Sequence, residues 1–181
     1  SYDDALAILQ SKRTIVVTDC ICCKKQAILD KACGKIVEAC FMFDTMAEYY
    51  LAHDLGRQVS VEEAVKILKT AREQGLVTQP ATAQNPAGMC NCCGDCCGVL
   101  QAINFHPKPA EIVSSNHYAV LDREVCSGCE TCVDRCQTNA LAMDDDGLAV
   151  LNPDRCIGCG LCVITCPEEA LSLRAKAPEE Q

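Results

Sequence analysis

The sequence predicts a mixed α+β chain of two domains. A helical, cysteine-rich N-terminal domain is expected at residues 1–110, and a C-terminal domain of two related halves at residues 111–181. Three observations support this division. The 18 cysteines form two sets with different spacing, the C-terminal set repeats between Cys126 and Cys156, and Pro107 and Pro109 mark a linker.

Apolar periodicity and capping residues predict helices in the N-terminal domain. Residues Lys24–Lys31 and Asp44–Leu55 have helical patterns. Ser60 and Glu63 form a capping box, in which each side chain bonds the other residue's backbone N–H. The capping box opens the clearest helix of the chain, because an apolar stripe with helical spacing follows it.

Extended segments and turns are predicted at four further places. Thr14–Thr18 reads as a strand that leads into the first cysteine group, and Thr78–Gly88 has the composition of a loop. Tyr118–Leu121 is expected to be an edge strand. Asp144–Gly147 is expected to be a hairpin turn between two short apolar strands.

Two cysteine runs carry most of the functional signal. Each run has three cysteines separated by two residues and a fourth after three more residues, and the second run ends in Cys166-Pro167. Such a loop wraps three cysteines round one [4Fe–4S] cube and sends its fourth cysteine to another cube. The spacing therefore predicts two clusters with exchanged fourth ligands. Cluster 1 takes Cys126, Cys129, Cys132 and Cys166, and cluster 2 takes Cys156, Cys159, Cys162 and Cys136.

The repeat extends beyond the cysteines. Aligning Cys126 with Cys156 also aligns Gly128 with Gly158 and Ala140 with Ala170. On these residues, the segment from about Ser114 to Arg174 resembles the bacterial-type two-[4Fe–4S] ferredoxins. The resemblance implies a ferredoxin-like domain with a pseudo-twofold axis and one-electron transfer. One departure is that Gln137, not proline, follows Cys136.

The N-terminal cysteines have no familiar cluster spacing. We predict that the loop at Cys20 and Cys22 meets the loop at Cys90, Cys93 and Cys96, and that they share a third [4Fe–4S] cluster. A zinc site and buried free thiols are the alternatives. A fourth cluster that uses Cys33 and Cys40 is also left open.

The arrangement of cysteines along the whole chain resembles that of the small iron–sulfur electron-transfer subunits of tungsten-dependent benzoyl-coenzyme A reductases. The resemblance rests on the eight C-terminal cysteines together with Cys20-x-Cys22 and Cys90-x-Cys92-Cys93-x-x-Cys96. It implies a larger catalytic redox subunit as partner, with a tungsten–pterin site. A free polyferredoxin, and a cluster-based redox sensor or assembly factor, are the other functions that the cysteine runs allow.

Composition narrows the remaining classes of function. The net charge of −9 disfavours nucleic acid as a partner. No apolar run is long enough for membrane insertion, and no signal peptide is recognised, so cytoplasmic localisation is expected. The cysteine spacing suits metal clusters in a reducing compartment, where disulfides are rare. No catalytic site is predicted on this chain, because it has neither a phosphate-binding loop nor a nucleophile–base pair.

Overall fold

The computed structural model describes residues 1–177, which form two compact units that divide between Gly98 and Val99. The sequence had placed this boundary after residue 110. The segment from Val99 belongs with the C-terminal unit because its polar groups are bonded there. Asn104 donates a hydrogen bond from Nδ2 to the Gln137 carbonyl at 2.7 Å, and Lys108 pairs with Asp154 at 3.4 Å.

The N-terminal unit is built on a five-stranded antiparallel sheet with helices packed against it. The strand order is β3-β1-β2-β5-β4. Its elements are α1 (Tyr2–Ser11), β1 (Ile15–Asp19), α2 (Ile21–Ile28), β2 (Glu38–Phe43), α3 (Asp44–Ala52), β3 (Arg57–Val59), α4 (Val61–Glu73), β4 (Val77–Pro80) and β5 (Gly88–Cys92).

The prediction of a helical N-terminal domain was therefore wrong in one respect, because it missed this sheet. Only β1 was recognised in the sequence. The residues of β2 are a short apolar run whose periodicity does not distinguish a strand from a buried helix. The sequence predicts a loop from Thr78, within what is β4, and Pro80 fits this strand because β4 lies at the sheet edge.

Helix α4 forms as its capping residues predict. The Ser60 side chain accepts a hydrogen bond from the Glu63 backbone N–H at 3.2 Å. Gly75, at φ +79°, follows the last residue of the helix in the left-handed conformation. The apolar face of α4, including Ala64 and Leu68, packs on the sheet beside Phe41 and other buried residues.

This apolar core of the N-terminal unit contains no cysteine among its buried members. Phe41 and Phe43 are almost fully buried, and their rings stack with centroids 6.5 Å apart. The core also includes Leu9 and Met89. The cysteines of this unit are instead gathered where β1, β2 and β5 end, outside the apolar core.

The C-terminal unit is made of short elements around the cysteine loops. These are α5 (Gly98–Phe105), α6 (Pro109–Ile112), β6 (His117–Leu121), α7 (Thr131–Arg135), β7 (Leu141–Met143), β8 (Ala149–Leu151) and β9 (Leu171–Ala175). Strand β6 pairs with β9 and β7 pairs with β8, both antiparallel. Asp144–Gly147 forms the turn of the β7–β8 hairpin, as the sequence predicts.

Candidate metal centres

The first C-terminal centre is a cavity lined by cysteines from both repeats. Its empty volume is about 340 Å³. The second repeat contributes one cysteine, and apolar residues such as Leu121 and Leu171 close the cavity. We call it cage 1; its cysteines are Cys126, Cys129, Cys132 and Cys166.

The second C-terminal centre repeats this arrangement with the roles of the two halves exchanged. Its empty volume is also about 340 Å³. We call it cage 2; its cysteines are Cys136, Cys156, Cys159 and Cys162. Cys132 of cage 1 and Cys162 of cage 2 are buried in the same core, so the two cages adjoin. Each cage presents the four thiols that a cubane requires.

Backbone N–H groups point at the cysteine sulfurs of both cages. Ala140 donates to Cys136 Sγ at 3.2 Å, and its repeat partner Ala170 donates to Cys166 Sγ at 3.3 Å. Ala119 donates to Cys156 Sγ at 3.4 Å. Such bonds stabilise thiolate charge, and they tune the reduction potential of a metal centre.

Two repeat-related glycines allow the cysteine loops to approach the neighbouring backbone. Gly128 and Gly158 have φ values of +71° and +67°. A Cβ atom at Gly158 would collide with the His117 carbonyl oxygen, and one at Gly128 would collide with that of Gly147. Any side chain at either position would therefore displace its loop from the cage.

The two cages differ around the fourth cysteine of each run. Cys136 Sγ lies 3.7 Å from the hydroxyl of the buried Thr138, whose carbonyl oxygen accepts a hydrogen bond from Arg155 Nε at 2.8 Å. The residue equivalent to Thr138 after Cys166 is the exposed Glu168. Cage 2 therefore has an additional polar group beside one sulfur, in the segment where Gln137 replaces proline.

A compact group of four cysteines lies in the N-terminal unit. Their Sγ atoms all lie within 4.8 Å of one another, and three of the four side chains are buried. We call this group the cysteine quartet; it consists of Cys23, Cys33, Cys93 and Cys96. Lys35 N–H donates a hydrogen bond to Cys33, and Cys96 N–H donates one to Cys93.

The other N-terminal cysteines form a second, larger group. Hydrogen bonds link Cys20 to Cys40, Cys40 to Cys90, and Cys90 to Cys92. Cys92 is bonded to Cys97, and Cys22 is bonded to Cys20 and interacts electrostatically with Cys97. We call this group the six-thiol group; it consists of Cys20, Cys22, Cys40, Cys90, Cys92 and Cys97.

Sheet register explains why the six-thiol group assembles. Because β2 and β5 pair at Phe41 and Met89, Cys40 and Cys90 lie opposite each other one position further along. Cys90 and Cys92 are two residues apart on β5, so they share a sheet face. Cys20 follows β1, where its N–H donates to the Val37 carbonyl at 2.8 Å beside β2.

Mutual hydrogen bonds shift the thiol pKa values within the six-thiol group. The hydrogen bond from Cys40 lowers the pKa of Cys20 to about 5. Hydrogen bonds from Cys40 and Cys92 lower the pKa of Cys90 to about 3. The hydrogen bonds with Cys20 and Cys90 raise the pKa of Cys40. Metal ligands must be deprotonated, so Cys20 and Cys90 are already favourable ligands.

The cysteines that the sequence assigns to one third cluster fall into two adjoining groups, which are joined by a hydrogen bond between Cys20 and Cys23. Cys20, Cys22 and Cys90 lie in the six-thiol group, whereas Cys93 and Cys96 lie in the quartet. Five neighbours were not among those candidates: Cys23, Cys33, Cys40, Cys92 and Cys97. The Cys20-x-x-Cys23 spacing is a sequence signal for Cys23. Cys33 and Cys40 carry no such signal, because Cys33 lies in the loop before β2 and Cys40 is brought to the site by strand pairing.

A comparison with protein families identifies the type of domain that the C-terminal unit forms. Residues 119–173, from β6 to β9, match the family model described as the 4Fe-4S dicluster domain. All eight cysteines of the two cages lie within the match. The chain therefore carries a ferredoxin-type iron–sulfur domain, and this supports iron–sulfur electron transfer. No curated protein matches the chain.

The N-terminal unit lies outside this family match. Its two cysteine groups are therefore interpreted from their geometry alone. Across residues 1–177, no helix combines the length and the apolar character that a membrane span needs.

Proposed function

We propose that this chain is the electron-transfer subunit of an oxidoreductase complex and binds three [4Fe–4S] clusters. The observation that carries the proposal is the pair of four-cysteine cages inside a dicluster-type domain. A bound [4Fe–4S] cluster supplies reversible one-electron exchange. No catalytic residue on this chain is part of the proposal, so substrate chemistry belongs to the partner.

The cages differ in exposure from one side to the other, so they shield the clusters on the inside and leave one edge accessible. Cys132 and Cys162 are 7% and 8% exposed, so they keep water away from the shared interior of the two cages. Cys129 lies on the surface, where hydrogen bonds from Thr131 lower the pKa of its thiol. Electrons therefore pass between a docked partner and the two C-terminal clusters at the edge of cage 1, where Cys129 is exposed.

We assign the third cluster to the six-thiol group. This group offers more than the four thiols that a cubane needs, and Cys40 and Cys92 are only 6% exposed. It keeps Cys20, Cys22 and Cys90 as ligand candidates. The quartet is a less suitable place for a cubane, because its sulfurs are closer together than cubane ligands are.

An apolar surface on α2 supports a dedicated subunit over a free carrier. Ile21 and Ile28 lie seven residues apart on one helix face and are 74% and 83% exposed. Leu29 extends this surface, and Lys24 and Lys25 border it. Exposed apolar patches with a charged rim are typical of protein interfaces. Lys24 already pairs with Asp19 at 3.4 Å, so Lys25 is the lysine that would favour an acidic patch on the partner.

The resemblance to benzoyl-coenzyme A reductase subunits suggests the kind of partner. We propose a larger catalytic subunit that carries a tungsten–pterin site and receives low-potential electrons from this chain. A reducing cytoplasm is the compartment that suits 18 cysteines used as cluster ligands.

The deciding experiment is the native mass and metal content of the particle purified anaerobically from its own cells. The proposal expects a particle much larger than this 19.5 kDa chain, containing tungsten and about 12 irons per copy of the chain. A monomeric particle with iron alone would contradict the subunit assignment and leave a free polyferredoxin. Co-purification with DNA or with a cluster-free acceptor protein would instead favour a sensor or an assembly factor.

A further inference from the structure

The sulfur spacing of the quartet differs from the spacing that a cubane needs. The four Sγ atoms of Cys23, Cys33, Cys93 and Cys96 lie within 4.8 Å of one another. A tetrahedral ion with metal–sulfur bonds of about 2.3 Å holds its sulfurs about 3.8 Å apart. Thiolates bound to the corners of a cubane are farther apart, at about 6 Å. The quartet is therefore closer to the geometry of a single ion.

The cages of the C-terminal unit show the contrasting arrangement. Each cage has four cysteines around a cavity, and no three of these cysteines have sulfurs that all lie within 4.8 Å of one another. Within residues 1–177, the quartet is the only group in which three or more cysteine, histidine or carboxylate side chains come within 4.8 Å of one another. The cysteine sulfurs of the quartet are thus closer together than those of either cage.

The backbone around the quartet is arranged to support thiolate ligands. Gly34 has φ +70°, and this turn lets Lys35 N–H donate to the Cys33 sulfur. Cys96 N–H donates to the Cys93 sulfur within the Cys93-x-x-Cys96 loop. Two short loops with N–H···S bonds therefore supply three of the four ligands. Cys23 adds the fourth from the first turn of α2.

Burial and charge also suit a closed site with a single ion. Cys93 is 1% exposed, and Cys96 and Cys23 are buried beside Ala39, Ala71 and Leu76. A dianionic tetrathiolate centre would be partly neutralised by Lys35. The Lys35 ammonium also pairs with the Asp95 carboxylate at 3.1 Å. Three of the four ligands are therefore shielded from water, and Cys33 is half-buried.

We propose that Cys23, Cys33, Cys93 and Cys96 hold one structural Zn²⁺ ion. Four thiolates in a closed tetrahedron are a standard structural zinc site, and zinc binds such ligands more tightly than ferrous iron does. The ion ties the loop at Cys33 and the start of α2 to the segment after β5. It is redox-inactive, so it lies outside the relay of the proposed function and supports the unit beside the six-thiol group.

The test measures zinc, iron and labile sulfide in the full chain, produced anaerobically with both metals supplied. The wild-type chain is expected to contain about one zinc, and X-ray absorption at the zinc edge should show four sulfurs at about 2.3 Å. Cys33→Ser removes the least buried quartet ligand, and it should abolish zinc binding while iron and sulfide stay unchanged.

Cys22→Ser is the matched control, because Cys22 is also half-buried but belongs to the six-thiol group. It should leave zinc in place whether or not its iron changes, because Cys22 is not a quartet ligand and five thiols remain in its own group. A wild-type chain with one zinc but only about eight irons would remove the third cluster and leave the zinc site standing.

Three outcomes would overturn the zinc site. They are a wild-type chain without zinc, a zinc shell other than four sulfurs, and a loss of about four irons with sulfide in Cys33→Ser. A single iron bound without sulfide would equally exclude zinc. Should Cys33→Ser fail to fold, the zinc-edge spectrum of the wild-type chain decides by itself.

Discussion

The two units use cysteine in opposite ways. In the C-terminal unit the cysteines are part of the core itself, since Cys132 and Cys162 are buried with Ala119, Leu141 and Leu171. In the N-terminal unit the apolar core around Phe41 forms without cysteine, and the ten thiols gather beside it. We therefore expect that the C-terminal unit needs its metal in order to fold, whereas the N-terminal unit has an apolar core that does not depend on its cysteines.

Removing the metals should produce the largest difference in stability between the two units. With chelator and a mild oxidant, the C-terminal unit should unfold, because its remaining apolar core is too small without clusters. Hydrogen exchange monitored by mass spectrometry should then show fast exchange across β6 and β9 but continued protection of β1 and β2. Protected amides in the β6–β9 pair of the metal-free chain would show that the C-terminal unit also has a self-sufficient core.

Gly158→Ala tests how tightly the cage loops are constrained. The new Cβ would collide with the His117 carbonyl oxygen, so cage 2 should lose its cluster, about half of the iron of the C-terminal pair. Gly147→Ala is the control, because Gly147 also has positive φ but has open space around it. The control should cost about 1 kcal/mol of stability and no iron. Equal iron in both variants would mean that the loop can shift without cost.

Phe41→Ala probes the core of the N-terminal unit. Phe41 is fully buried, so the change should lower the free energy of unfolding of this unit by about 3–5 kcal/mol. The electron paramagnetic resonance signals of the C-terminal clusters should be unchanged. Phe105→Ala is the control, since Phe105 is 89% exposed and should change stability by less than about 0.5 kcal/mol. A spectral change in Phe41→Ala would show that the two units depend on each other.

Thr138→Val should produce the smallest effect and would distinguish the two cages from each other. Losing the hydroxyl beside Cys136 Sγ removes a polar group that stabilises negative charge on sulfur. One of the two C-terminal potentials should therefore become more negative in protein-film voltammetry. Thr165→Val is the control, because the Thr165 hydroxyl donates to the carbonyl oxygens of Leu161 and Cys162 and contacts no cysteine sulfur in these bonds. If both variants shift the potential equally, the hydroxyl at Thr138 has no specific role.

The sequence predicts those features well whose hydrogen bonds join residues only a few positions apart. The capping box at Ser60 and the hairpin turn at Asp144–Gly147 were found because their hydrogen bonds join residues close in sequence. The repeat also pointed to equivalent backbone features, such as the paired glycines Gly128 and Gly158. The N-terminal sheet was missed because β2 and β5 pair across a long intervening segment, and their short apolar runs have no distinctive period.

The sequence by itself determined the chemistry of the C-terminal unit. Two runs of closely spaced cysteines restrict each loop to a few conformations, and so their spacing alone indicates an iron–sulfur domain. Only the tertiary structure divided the N-terminal cysteines into a quartet and a six-thiol group. Cys33 joins Cys93 through the fold of the sheet, and Cys40 faces Cys90 through strand register. Partners brought together by long-range pairing leave no fixed spacing in the sequence, because the intervening chain can vary without moving the sulfurs.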